Sequence, residues 1–123
     1  MDLKGEYLIP AKKLVVWKHL NDPETLKNSI KGCETLDKVN ETEFTAKVKA
    51  KVGPVSALFR GSVTLTDLEP PNSYTITGQG KGGVAGFAKG SVKIALLDSD
   101  EHNKTLLKYE GNAQVGGKLA QLG

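Results

Sequence analysis

EFTAKVKAKVGPVSALFRGSVTLT, from Glu43 to Thr66, is a β-hairpin written out in full. Its apolar and small residues fall at every second position: Phe44, Ala46, Val48, Ala50 and Val52, then, after Gly53-Pro54, Val55, Ala57, Phe59, Gly61, Val63 and Leu65. Most residues between them are polar: Glu43, Thr45, Lys47, Lys49 and Lys51 on the first arm, and Ser56, Arg60, Ser62, Thr64 and Thr66 on the second. A period of two with one wet face specifies paired antiparallel strands, and Gly-Pro supplies the turn.

The same period continues downstream. After Glu69-Pro70-Pro71-Asn72 a strand turns Tyr74, Ile76, Gly78 and Gly80 inward, and Lys81 to Ala85 reverses the chain. Gly86, Ala88, Gly90, Val92, Ile94 and Leu96 follow, then a polar turn from Asp98 to Asn103, then Thr105, Leu107, Tyr109, Gly111, Ala113 and Val115. Upstream, Leu3 to Ile9 is a strand ended by Pro10, and Leu14, Val15, Val16, Trp17 and Leu20 have helical spacing over Lys12–Leu20. Asp22-Pro23-Glu24 then starts a second helix running to about Ile30, with Leu26 and Ile30 facing inward, Gly32 as its stop, and a strand over Glu34–Val39. Gly116 to Gly123 opens a further helix that is cut off at its start. The pattern predicts one α+β domain over residues 1–123, a curved antiparallel sheet of about seven strands with two short helices after the first.

Composition narrows the function. The chain has 123 residues, 17 Lys+Arg against 14 Asp+Glu and a net charge of +3, with one cysteine and two histidines. That excludes an internal disulfide framework and a multi-cysteine zinc site. All basic residues except Arg60 are lysines, dispersed along the chain, so nucleic acid is not an expected partner. No stretch is long and apolar enough for a membrane helix, and MDLKGEYLIP lacks the apolar core of a signal peptide, so a soluble cytoplasmic protein is expected.

The inward face is unusual in its small residues: Ala46, Ala50, Ala57, Gly61, Gly78, Gly80, Gly86, Ala88, Gly90, Gly111 and Ala113. Glycine lets a sheet bend, but alanine does not, and a face so poor in volume needs a covering helix, a ligand, or both. The predicted apolar cavity is lined by Ala50, Ala57, Phe59, Ile76, Gly78, Tyr109 and Ala113, with Phe87 beside the glycine loop as a gate. Tyr74 and Tyr109 are the inward titratable groups of the last five strands, so no general acid or base and no metal ligand is expected there. His19 and His102 read as surface residues, and Cys33 as an inert thiol without a neighbouring base. Gly78-x-Gly80-x-Gly82-Gly83 leads into a strand and not a helix, so it reads as a hairpin tip and not a phosphate loop. Trp17 clamps the first helix to the sheet. Lys47, Lys49 and Lys51 form a positive stripe on the exposed face, open to anionic lipid or an acidic partner.

Several segments resemble the CoxG family, the G-subunit family of carbon monoxide dehydrogenase: VWKHLNDPETLKNSIKGCETL (Val16–Leu36), VGPV (Val52–Val55), GSVTLTDLEPPNSYTITGQGKGG (Gly61–Gly83), GFAKG (Gly86–Gly90) and AQVGGKLAQLG (Ala113–Gly123). The resemblance implies a START-like, helix-grip fold whose sheet wraps a long C-terminal helix around a hydrophobic cavity. It also implies a non-enzymatic accessory protein of CO dehydrogenase-type molybdenum hydroxylases. Such a protein would carry no covalent cofactor, hold a quinone or other lipid, and sit at the cytoplasmic face of the inner membrane. Family members continue past AQLG, whereas this chain stops at Gly123. Two other readings stand beside this one. An enzyme of the polyketide cyclase or hydratase type would require an acid or base in the cavity, and a docking adaptor would use its Lys-rich face and leave the cavity empty.

Overall fold

A computed structural model describes residues 1–121, with the backbone alone at Val52 and Val55. β1 (Asp2–Ile9) is followed by α1 (Lys13–Leu20), α2 (Pro23–Ser29) and six strands: β2 (Cys33–Asn40), β3 (Glu43–Val52), β4 (Val55–Glu69), β5 (Ser73–Lys81), β6 (Phe87–Asp98) and β7 (Thr105–Gly116). All pair antiparallel in one sheet of order β1-β7-β6-β5-β4-β3-β2, so the first strand closes against the last. A single helical turn, α3 (Lys118–Gln121), follows β7 where the terminal helix is expected, and the last two residues of that expectation, Leu122 and Gly123, lie outside the described residues.

Local chemistry accounts for the element ends. Asn21 stops α1, its side-chain amide donating to the Trp17 carbonyl at 2.9 Å, while Lys18 and His19 in the last turn complement the helix dipole. Pro23 opens α2 at the position where its missing N–H costs nothing. The Asp22 carboxylate accepts from the Thr25 hydroxyl at 2.8 Å instead of from a backbone amide. α2 ends at Ser29, one residue short of the expected Ile30, whose side chain is 40% exposed and not inward. Gly32 adopts φ +82°, and its carbonyl accepts from the Lys49 amide at 2.8 Å, tying the end of the helical segment to β3. Gly86 is also no strand residue: at φ +111° it closes the turn formed by a 3₁₀ segment, Gly83–Ala85, between β5 and β6.

Residues opposite each other on neighbouring strands share a face, so the register sorts the sheet into rungs. On the helix-bearing face, Leu96 pairs with Leu107, and Ile94 is flanked by Tyr74 and Tyr109. Leu65, Ile76, Val92 and Gly111 form the next rung, Phe44, Val63, Gly78, Gly90 and Ala113 the next, and Ala46, Gly61, Gly80, Ala88 and Val115 the one after, with Val48 opposite Phe59 beyond it on β3 and β4. Across β5, β6 and β7 bulk therefore declines along the strands from the Leu96–Leu107 end of the face to the Gly80–Ala88 end. α1 and α2 cover the bulky end, where Val16, Phe44, Leu65, Tyr74, Leu96 and Leu107 are all at most 8% exposed. Thr105, fully buried in the same region, donates its hydroxyl to the Ala11 carbonyl at 2.7 Å and anchors β7 to the β1–α1 connection.

Candidate functional site

Among the described residues only the single turn α3 and the 3₁₀ segment Gly83–Ala85 adjoin the small-residue end of this face, and a shallow hollow of about 350 Å³ lies over it. Ile76, Gly78, Gly80, Ala88, Gly90 and Ala113 form its floor, with Val63 and Val92 on its flanks and Leu3 of β1 at its edge. Its glycines divide into two kinds. A Cβ on Gly61 or Gly90 would stand 2.5 Å from the Gln79 carbonyl oxygen or 2.6 Å from that of Asn112, so these glycines admit close approach between bent strands. At Gly80 nothing comes nearer than 3.8 Å, and the missing side chain leaves open volume.

Of the residues expected to line a cavity, Ile76, Gly78 and Ala113 lie together at this hollow. Ala50 and Ala57 face each other across the β3–β4 hairpin on the same side of the sheet but away from the hollow. Phe59 opposes Val48 and lays its ring over the backbone of Gly82. Tyr109 is also on this face, spread over Gly5 and stacked on Tyr7 at 6.0 Å between ring centroids. Phe87 takes the other parity: it opposes Gly116, covers that residue's backbone with its ring, and is 42% exposed on the outer face. It adjoins the β5–β6 turn but does not face the hollow, because Ala88 and Gly90 hold the inward parity of β6 and Phe87 shares the outer one with Lys81.

Leu3 and Tyr7 had no sequence signal, since their place depends on β1 pairing with β7 at the far end of the chain. Val63, Ala88, Gly90 and Val92 were legible as inward residues, but their membership of the uncovered end depends on where α1 lands.

The chemistry of the hollow is apolar. The residues lining it include no Asp, Glu or His. His19 is exposed at the end of α1, with its Nδ1 3.2 Å from the Thr25 hydroxyl, and His102 is exposed in the β6–β7 turn. Among the described residues no group of three or more His, Cys, Asp or Glu is placed to hold a metal ion. Gln79, Lys89 and Asn112 are the polar residues of the lining, and the two phenols of this face lie outside it. Burial pushes Tyr74 up to about 12, and the Tyr7 phenol beside Tyr109 raises that group as well. Both stay protonated at neutral pH, as hydrogen-bond partners and not as bases.

The model of the carbon monoxide dehydrogenase G-subunit family (CoxG) matches residues 5–123. The chain belongs to the CoxG family. Solved structures place this CoxG chain in a wider fold group. A conserved protein from Geobacillus kaustophilus superposes with a TM-score of 0.90 at 29% identity, over 100% of this chain and 80% of that one. A START superfamily protein from Mycobacterium smegmatis gives 0.65 at 12% identity, covering 94% of this chain and 77% of the other. The Zhui aromatase/cyclase from Streptomyces gives 0.60 at 11% identity, covering 95% and 70%. The latter two, at 12% and 11% identity, share the fold alone: the CoxG chain has a START-like fold. Comparison with curated protein sequences gives no match. No helix of the described residues is long and apolar enough to cross a membrane.

Proposed function

We propose that this CoxG chain is a non-enzymatic accessory protein of a CO dehydrogenase-type molybdenum hydroxylase. It holds a lipophilic small molecule of the quinone or lipid class against the small-residue end of its sheet and links the enzyme to the membrane. The observation that carries the reading is the uncovered apolar hollow over Gly78, Gly80, Ala88 and Ala113, beside a core that α1 and α2 already fill. Family membership supports the accessory role. At about 25 cal/mol per Å², a ligand burying roughly 300 Å² of apolar surface gains about 7 kcal/mol before entropy costs, enough for micromolar binding.

Catalysis of the cyclase or hydratase type is disfavoured by the hollow's chemistry. Proton transfer at neutral pH calls for a carboxylate or imidazole at the reacting centre, and the lining residues supply neither. An adaptor with an empty cavity would need the terminal helix alone to fill the small-residue end. The test is native mass spectrometry of protein purified from its own host, followed by organic extraction. A quinone or other lipid at near one-to-one ratio is the expected result, and an empty protein that still binds the hydroxylase would overturn the carrier reading in favour of the adaptor.

A further inference from the structure

Three cations stand side by side across the outer face of the sheet. Lys47, Arg60 and Lys81 occupy directly opposed positions on β3, β4 and β5, and all three are exposed. Lys49 and Lys51 extend the charge along β3, and Lys89 stands one rung away on β6, opposite Gln79. Like charges directly opposite each other on antiparallel strands repel. None of the ion pairs among the described residues includes any of these cations, and the acids closest along the neighbouring strands, Glu34, Asp37 and Glu43, do not bridge to them. On a chain with a net charge of only +3, this is a local concentration of uncompensated positive charge.

Apolar side chains project beside it. Phe87 is next in the Lys47–Arg60–Lys81 rung, directly opposite Lys81, and Val84 in the adjoining 3₁₀ turn is 78% exposed. Lysines dominate the patch, and their mobile point charges answer the diffuse negative potential of an anionic lipid surface, which asks for no fixed bidentate geometry. Exposed apolar side chains flanked by lysine are what a headgroup boundary accommodates. On the reverse of the same strand ends, Gly80 and Ala88 line the hollow.

We infer that this end of the outer face docks on an anionic phospholipid bilayer, with Lys47, Arg60 and Lys81 among the headgroups and Val84 entering the interface. Docking sets the open end of the hollow beside the bilayer from which a lipophile would enter. The inference rests on the lipophile-carrier reading for its purpose, though not for its geometry.

The test is flotation of the whole chain with large unilamellar vesicles of phosphatidylcholine, with and without phosphatidylglycerol. Binding is expected only with phosphatidylglycerol and is lost at about 0.5 M salt, where charges are screened within a few ångströms. At about fivefold per cation near the surface, Lys47→Thr/Arg60→Thr/Lys81→Thr weakens binding roughly a hundredfold, and the corresponding triple Glu variant weakens it further. Val84→Ser weakens binding without altering charge. A control with the same charge change as the Glu variant but on the helices, Lys12→Glu/Lys18→Glu/Lys27→Glu, retains most of it. Equal flotation with neutral vesicles, no flotation with either, or equal losses in the control and the rung variant would overturn the docking surface. Uptake of a lipophilic quinone in the absence of vesicles separates the two claims. Uptake without flotation removes the docking surface alone, and flotation without uptake removes the carrier reading alone.

Discussion

Trp17 of α1 meets Tyr74 of β5 edge to face, with ring centroids 5.2 Å apart and planes at 89°. This contact pins the helix to the bulky end of the sheet and thereby fixes which rungs stay uncovered. Edge-to-face pairs add about 0.5–1.5 kcal/mol beyond the area they bury. Trp17→Ala is expected to cost about 3 kcal/mol in urea unfolding, and Trp17→Phe, which keeps an aromatic edge, distinctly less.

Filling the hollow separates its floor from the rest of the face. Ala113→Phe places a ring over the floor and is expected to abolish lipophile uptake while the fold survives, whereas Ala57→Phe, at the hairpin, leaves uptake largely intact. Equal effects of the two substitutions on uptake, read by fluorescence titration, would count against the hollow as the binding surface.

The glycines give a stability test with opposite outcomes. Gly90→Ala drives a methyl group to 2.6 Å from the Asn112 carbonyl oxygen and is expected to destabilise by about 1–3 kcal/mol, the usual range for overpacking. Gly80→Ala meets nothing closer than 3.8 Å and is expected to be neutral or slightly stabilising in thermal melts.

The buried Thr105 hydroxyl satisfies the Ala11 carbonyl. Thr105→Val keeps the shape but leaves that acceptor unpaired, a loss of about 1–3 kcal/mol on chemical unfolding, while Thr105→Ser keeps the donor and loses less.

Alkaline pH tests Tyr74. Its phenol ionises near 10 in the unfolded chain and at about 12 in the fold, so the folded state holds its proton more tightly. The contribution is fully present below pH 10 and is lost as the pH rises from 10 to 12, at about 1.4 kcal/mol per unit. Tyr74→Phe is therefore expected to flatten the fall in stability over that window relative to the unaltered protein, measured as urea midpoints at successive pH values.

Much of this architecture is written in local pattern. The alternation from Phe44 to Leu65 gives β3, the turn and β4 as far as Thr66, three residues short of its end at Glu69, and Asp22-Pro23 marks the start of α2, because period and turn chemistry act over a few neighbouring residues. The inward parity of Ile76, Gly78 and Ala113 follows from the same pleat. Phe87 was misplaced because it adjoins a turn whose last residue, Gly86, adopts φ +111° and belongs to no strand, so proximity to the loop gave no guide to its face. Leu3 reaches the hollow, and Tyr7 the ring of Tyr109, only because β1 pairs with β7, a contact between the two ends of the chain that no local window contains. The division of one apolar face into a covered core and an open hollow, and the alignment of Lys47, Arg60 and Lys81 into one rung, arise from register and helix docking. The local hairpin sets Lys47 opposite Arg60, but the pairing of Arg60 with Lys81 and the docking of α1 join residues that no short window contains.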